Sequence, residues 1–221
     1  MQTKTKAAAV AVGAMVALWP LTVAAAQMRA SESPSVSGPL SLHEEHCFRQ
    51  DKKRHSHIVV TAKVCLRVYF LKASNDNDAA YNHGAVWVQT SLHAAKGWCV
   101  TKVVPSSAIS SNTIVDNSRT PARTIKPPDK KTVRARVVVD ADGAAPTSGY
   151  VRQTFLLFPD VLRRAHLTTL SNNDRELTEL WKGSSRRRLA FVVGAEISFR
   201  PNNNPTITAA LDYDAVKAKR C

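Results

Sequence analysis

Apolar and polar residues alternate along two long stretches of the chain. Between 58 and 71 the even positions are apolar, and between 189 and 199 the odd positions are apolar. The residues concerned are Ile58, Val60, Ala62, Val64, Leu66, Val68 and Phe70 in the first stretch, and Leu189, Phe191, Val193, Ala195, Ile197 and Phe199 in the second. A period of two places such residues on one face of an extended strand. Each stretch is therefore predicted to be a strand with one buried face.

Weaker alternation continues through most of the remaining chain. It occurs at 85–92, 98–104, 132–140, 150–158 and 206–213, and these segments are separated by polar, turn-rich sequences. About seven strands without intervening helices favour an all-β fold, an antiparallel β-sandwich that is Ig-like in architecture. It lacks the immunoglobulin signature, because Cys65, Trp87 and Cys99 lie too close together in sequence.

Three segments depart from the strand pattern. The segment 173–182 is predicted to form one short helix, with Asp174 as a cap and Leu177, Leu180 and Trp181 on one face. The segment 105–131 is rich in Ser, Asn, Thr and Pro, which predicts a long, mobile, basic loop with at most one short strand. Residues 27–39 are predicted to be a flexible leader to a single domain at 40–221.

The N-terminus has the three parts of a secretory signal. Lys4 and Lys6 precede an uncharged segment at 7–19, and small residues follow at 24–26. The uncharged segment is shorter than the roughly 20 residues that span a bilayer. We therefore expect residues 1–26 to be a cleaved signal peptide, the protein to be extracellular, and no integral membrane insertion after signal removal.

All four cysteines lie after the predicted signal, which favours two disulfides with three possible pairings. If 40–50 pairs back on 57–66, Phe48 falls opposite Val64 on the buried face and Cys47 falls opposite Cys65 on the other. Cross-strand neighbours can be bridged in this way. This register favours the pair Cys47 and Cys65, and leaves Cys99 for Cys221.

Positive charge is the most informative functional feature. Removal of residues 1–26 leaves 29 basic and 17 acidic residues. The candidates for polyanion binding are Lys52, Lys53, Arg54, Arg119, Arg123, Lys126, Lys130, Lys131, Arg186, Arg187 and Arg188. Such a surface attracts an anionic polymer, in particular an anionic component of the cell envelope, or an extracellular protein surface, although a high charge can also serve solubility alone. No RNA- or DNA-reading motif accompanies the charge, so no specific nucleic-acid partner is expected.

Aromatic residues offer a second kind of binding surface. Tyr69, Trp87 and Trp98 would form a carbohydrate-stacking platform if they shared an exposed face. Large aromatic residues are more often part of a sandwich core.

No motif for catalysis or metal binding is evident. The sequence lacks GxSxG and SxxK, and HEEH at 43–46 is not the HExxH of metalloproteases. Asp76 with Asp78, and Asp140 with Asp142, lack the spacing of an EF-hand and are typical of turns. We expect no metal and no cofactor. The prediction is a secreted, non-enzymatic binding protein, with a hydrolase of unrecognised active site and an inhibitor or effector as the alternatives.

Overall fold

The computed structural model describes residues 33–76, 78–126, 132–141, 149–156, 161–186 and 188–221. In chain order the strands are β1 (Ser35–Ser37), β2 (Leu40–Arg54), β3 (His57–Leu71), β4 (Asn82–Ala94), β5 (Trp98–Ile109), β6 (Thr113–Thr120), β7 (Thr132–Val139), β8 (Gly149–Leu156), β9 (Val161–Leu162), β10 (His166–Thr169), β11 (Arg175–Thr178), β12 (Trp181–Ser185), β13 (Leu189–Phe199) and β14 (Ile207–Lys217). Within these ranges the only helical element is a 3-10 turn at Ala218–Arg220. The predicted all-β sandwich is confirmed. A helix with the length and apolar content for a membrane crossing does not occur among the described residues.

The central sheet has the strand order β2-β3-β4-β13-β6 and begins with a long hairpin. The hairpin turns at His55 and Ser56, whose φ values of 47° and 67° are left-handed. This turn sets the predicted register, with Cys47 opposite Cys65 and Phe48 opposite Val64. The alternation seen in the sequence therefore determines both the pairing and the buried face of this hairpin.

The outer sheet is built around β5. Strand β14 pairs with β5 on one edge, and β11 and β12 pair in succession with the other edge, with β10 and β9 beyond them. Glu179 lies opposite Pro105, and its N–H donates to the Pro105 carbonyl at 3.1 Å. A proline has no N–H to return, so the ladder is interrupted here and β11 ends before β12 begins.

The small sheet, with the order β1-β8-β7, forms a third layer. On β13, Phe191 packs against Trp181 of the outer sheet with ring centroids 5.6 Å apart. On the opposite face of β13, a Cβ at Gly194 would lie 3.1 Å from Val137 Cγ2 of the small sheet and 3.1 Å from the Trp87 ring. The outer sheet covers one face of β13 and the small sheet covers the other. Alternation in β13 therefore separates two buried surfaces and not a buried face from an exposed one.

Three predictions of non-strand structure are wrong within the described residues. The expected helix at 173–182 is instead β11 and the start of β12, and the expected loop contains the end of β5 and all of β6. Residues 127–131 of that loop lie outside the described residues. In the expected flexible leader, Ser35–Ser37 pairs with β8, while residues 27–32 and the predicted signal peptide are outside the described part.

The helix prediction fails because the buried face of this strand includes an acid. Leu177, Glu179 and Trp181 alternate and are all buried. Because Glu179 stands between two apolar residues, the period of two is not evident in the sequence. Leu180 instead has the spacing of a helical face with Leu177 and Trp181.

Candidate functional site

Three chain segments are tied together at one end of the molecule. The β4–β5 turn forms a hydrogen bond on each side, one as donor and one as acceptor. The Ala95 N–H donates to the Val59 carbonyl at 3.0 Å, and the Ala218 N–H donates to the Gly97 carbonyl at 2.8 Å. A disulfide between Cys99 and Cys221 fixes the last turn of the chain against β5, and the second disulfide joins Cys47 to Cys65. Both pairings are those that the register favoured.

This arrangement gathers cations from distant parts of the sequence into one surface, which we call the basic pole. The segment after β12 also reaches it, because Arg186 Nη2 donates to the Ala218 carbonyl at 2.8 Å. The exposed cations of the basic pole are Lys53, Arg54, Lys96, Arg186, Arg188, Lys217, Lys219 and Arg220. None of the segments that carry them, 53–58, 93–97, 185–189 and 217–221, contains an acidic residue. The nearest acid along the chain is Asp51, two residues before Lys53, and its pKa is lowered by Arg49 and, to a smaller extent, by Lys53.

The other predicted basic residues lie elsewhere. Lys52 is half-buried, and its Nζ donates to the Tyr213 carbonyl at 2.7 Å, so it stabilises the fold. Arg119 is half-buried in β6. Arg123 and Lys126 are exposed near the β9 edge, where Ile125 pairs with Leu162. Lys130, Lys131 and Arg187 lie outside the described residues.

The aromatic candidates do not share an exposed face. Trp87 is fully buried and Tyr69 is only 3% exposed. Both side chains lie on the face of the central sheet that carries Gly194 and meets the small sheet, and burial raises the pKa of Tyr69 to about 12. Trp98 is half-buried and pairs with Lys217 at the basic pole. The condition for a three-ring stacking platform is not met.

Carboxylates gather at the opposite end of the central sheet. Glu196 accepts a hydrogen bond from the Asp140 N–H at 2.7 Å, and Asp116 accepts one from the Ser198 hydroxyl at 3.0 Å. Burial raises the pKa of Glu196, the Asp140 amide opposes that shift, and the nearby Asp116 carboxylate adds to it. We call Asp116, Asp140 and Glu196, together with Asp76 and Asp78, the carboxylate end.

The two aspartates of the β3–β4 turn bond to their own loop. Asp76 accepts from the N–H groups of His83 at 3.1 Å and Asp78 at 3.3 Å. Asp78 accepts from the Ala80 N–H at 2.7 Å, and its other oxygen lies 3.2 Å from His83 Nε2. The Ala80 amide, followed by His83, lowers the pKa of Asp78. These carboxylates therefore act as turn formers, while Asp142 lies outside the described residues.

Two clusters among the described residues contain the residue types of a hydrolytic or a metal site. Ser198 and His83 are cross-strand partners, but the Ser198 hydroxyl donates to Asp116 and both residues are buried. Within the described ranges, one group of three residues has metal-ligand spacing, namely Glu45, Cys47 and Cys65. Its two sulfur atoms are bonded to each other, so no thiolate remains to bind a metal.

Glu179 is the most unusual titratable residue in the described structure. It is 1% exposed, and neither of its carboxyl oxygens has a hydrogen-bond partner among the described residues. Burial raises its pKa well above 4.5. No local pattern predicted the burial of this residue, because it depends on pairing with β5.

Comparison with known proteins adds nothing to this geometry, since neither a family model nor a curated protein matches the chain. The function has to be argued from the surface itself.

Proposed function

We propose that this protein is exported and acts as a non-enzymatic binding protein for an anionic polymer of the cell envelope, through the basic pole. The observation that carries the proposal is the collection of eight exposed cations, from four segments without any acidic residue, at one end of the fold. Cations in such a cluster raise the local concentration of polyanions and speed their association. An acidic extracellular protein would be attracted by the same charge.

Two features support export together with this function. Two disulfides fit an extracellular or otherwise oxidising compartment, and the predicted signal at 1–26 provides the route. One of the disulfides holds the cations of the last turn in place. Trp98, half-buried at the basic pole, adds an aromatic surface beside the charges.

The test compares two triple variants that remove the same number of charges from the disulfide-bonded protein. The pole variant carries Arg54→Gln, Arg188→Gln and Arg220→Gln, and the control carries Arg123→Gln, Arg163→Gln and Arg164→Gln. All six arginines are exposed. Binding to immobilised dextran sulfate and to phosphatidylglycerol vesicles is measured over a range of salt, with phosphatidylcholine vesicles as the uncharged reference.

We expect the pole variant to bind at least about tenfold more weakly at low salt and the control variant to stay within about twofold. The salt dependence of the pole variant should also become shallower, since fewer counterions are released. Equal weakening in both variants would mean that net charge alone drives binding. That outcome, or wild-type binding that is insensitive to salt, would reject the basic pole as the site.

A further inference from the structure

The outward face of the small sheet is a compact basic surface that is separate from the basic pole. Its inward residues, such as Val137 and Val151, are buried against the central sheet. None of the three strands contains an acidic residue. The residues of the outward face, which we call the arginine face, are Ser35 and Ser37 from β1, Arg134, Arg136 and Val138 from β7, and Tyr150, Arg152 and Thr154 from β8.

Two arginines of this face are held side by side. Arg136 and Arg152 are direct cross-strand partners, and like charges at opposed positions destabilise a sheet. Tyr150 offsets part of this cost, because Arg136 Cζ lies 4.6 Å and Arg152 Cζ lies 5.5 Å from the centre of its ring. Both guanidinium groups therefore lie beside the same ring.

The neighbouring serines fix this arrangement. Arg152 Nε donates to the Ser35 hydroxyl at 3.2 Å, and that hydroxyl lies 3.3 Å from the Arg152 carbonyl, to which it donates. A hydrogen bond with Ser37, followed by the charges of Arg152 and Arg136, lowers the pKa of Tyr150. Among the described residues neither Arg136 nor Arg152 forms an ion pair. The terminal amino groups of both side chains are thus oriented without a carboxylate partner.

We propose that Arg136 and Arg152, assisted by Arg134, form a binding site for a single tetrahedral oxyanion, a phosphate or sulfate group. Each guanidinium presents a planar fork of donors that matches two oxygen atoms. One fork already satisfies the two oxygens of a carboxylate, whereas two adjacent forks match an anion with three or four oxygens. This site selects an anion by the arrangement of its oxygen atoms, whereas the basic pole attracts a polymer by its density of negative charge.

The experiment follows the arginine side-chain Nε–Hε signals by NMR in the full, disulfide-bonded protein. Inorganic phosphate, inorganic sulfate and acetate are titrated separately at constant ionic strength. We expect saturable shifts for Arg136 and Arg152 with phosphate or sulfate, and at least about fivefold weaker binding of acetate. Whether phosphate or sulfate binds more tightly, and whether phenyl phosphate or diethyl phosphate replaces the inorganic ion, identifies the class of compound that carries the group.

Two variants separate this site from general electrostatic attraction. Arg136→Lys keeps the charge but removes the fork, and should weaken phosphate binding at least about fivefold. Arg54→Gln, at the basic pole, should leave phosphate binding unchanged. Shifts that do not saturate, equal binding of acetate, or an Arg136→Lys variant that binds phosphate as the wild type does would each overturn the site without affecting the basic pole.

Discussion

At one end of the central sheet eight cations are exposed, whereas at the other end the carboxylates accept hydrogen bonds from the protein itself. The two ends are separated by the eleven residues of β13, about 35 Å at the rise of a strand. Arg188 and Arg220 have no acidic residue within their segments. Glu196 and Asp78, in contrast, each accept a hydrogen bond from a backbone N–H. The same sheet therefore carries charge that is used internally and charge that remains available to a partner.

Charges of these two kinds are expected to act differently, one on stability and the other on the proposed binding. A carboxylate that accepts hydrogen bonds within the folded protein has different pKa values in the folded and unfolded states. The free energy of unfolding therefore depends on pH. Exposed cations without a partner change that free energy little and respond instead to salt and to polyanions. Glu179 is a third case, a buried carboxyl group whose oxygens accept no hydrogen bond from the described residues.

The largest expected effect comes from releasing the segment that completes the basic pole. The double variant Cys99→Ser with Cys221→Ser opens a loop of 122 residues. In the chain-entropy model this lowers the free energy of unfolding by about 4 to 5 kcal/mol, which urea denaturation measures. The control pair Cys47→Ser with Cys65→Ser opens a loop of 18 residues and should cost about 3 kcal/mol.

The same variants also test how far binding at the basic pole depends on each disulfide. Dextran sulfate binding should weaken when the Cys99–Cys221 bond is absent, and should persist when only the Cys47–Cys65 bond is absent. A loss of stability below about 1 kcal/mol for the first pair would show that the hydrogen bonds of β14 alone hold the chain end.

A smaller effect is expected from removing the buried acid. Because the pKa of Glu179 in the folded protein is raised well above 4.5, its contribution to stability is full below pH 4.5 and declines as the pH rises towards the folded-state pKa. Glu179→Met should therefore stabilise the protein by roughly 1 to 3 kcal/mol at pH 8, with the difference shrinking towards pH 4. Urea midpoints measured across that range would refute the idea if Glu179→Met were less stable than the wild type at pH 8.

The smallest effect belongs to the carboxylate end. Glu196→Gln keeps an oxygen for the Asp140 amide and removes a group whose pKa is raised, so it should gain a few tenths of a kcal/mol at pH 7 and nothing at pH 4. Asp78→Asn should behave oppositely, because its lowered pKa stabilises the fold above pH 3.8 and that contribution is lost as the pH falls. Thermal melts at both pH values compare the two variants, and a shared sign would contradict the assignment.

The local pattern of the chain predicted the elements that depend on local information. The bounds of β13, the register of the β2–β3 hairpin and the Cys47–Cys65 pair all follow from a period of two and one tight turn. The third layer did not follow, because alternation cannot distinguish a solvent-facing side from a side covered by another sheet. Tyr69 stands at an odd position of the 58–71 stretch, outside the apolar alternating set, and is nevertheless buried.

The candidate sites required information that no local pattern contains. The basic runs at 52–54, 186–188 and 217–220 were visible, but their convergence depends on the register between β5 and β14 and on the second disulfide. Arg136 and Arg152 become neighbours through the pairing of β7 with β8. The two residues are far apart in sequence, so the juxtaposition of their charges is evident only once the strand pairing is known.

Pro105 also bears on the register between β5 and its neighbours β11 and β12 in the outer sheet. A slip of two residues between β5 and the combined β11 and β12 would keep every side chain on its own face, so hydrophobicity penalises it weakly. Such a slip would move the missing donor from the gap between β11 and β12, opposite Glu179, to a position within one of these strands, opposite Leu177 or Trp181. Pro105 thus distinguishes between registers that have the same apolar and polar pattern, and it does so through the main chain alone.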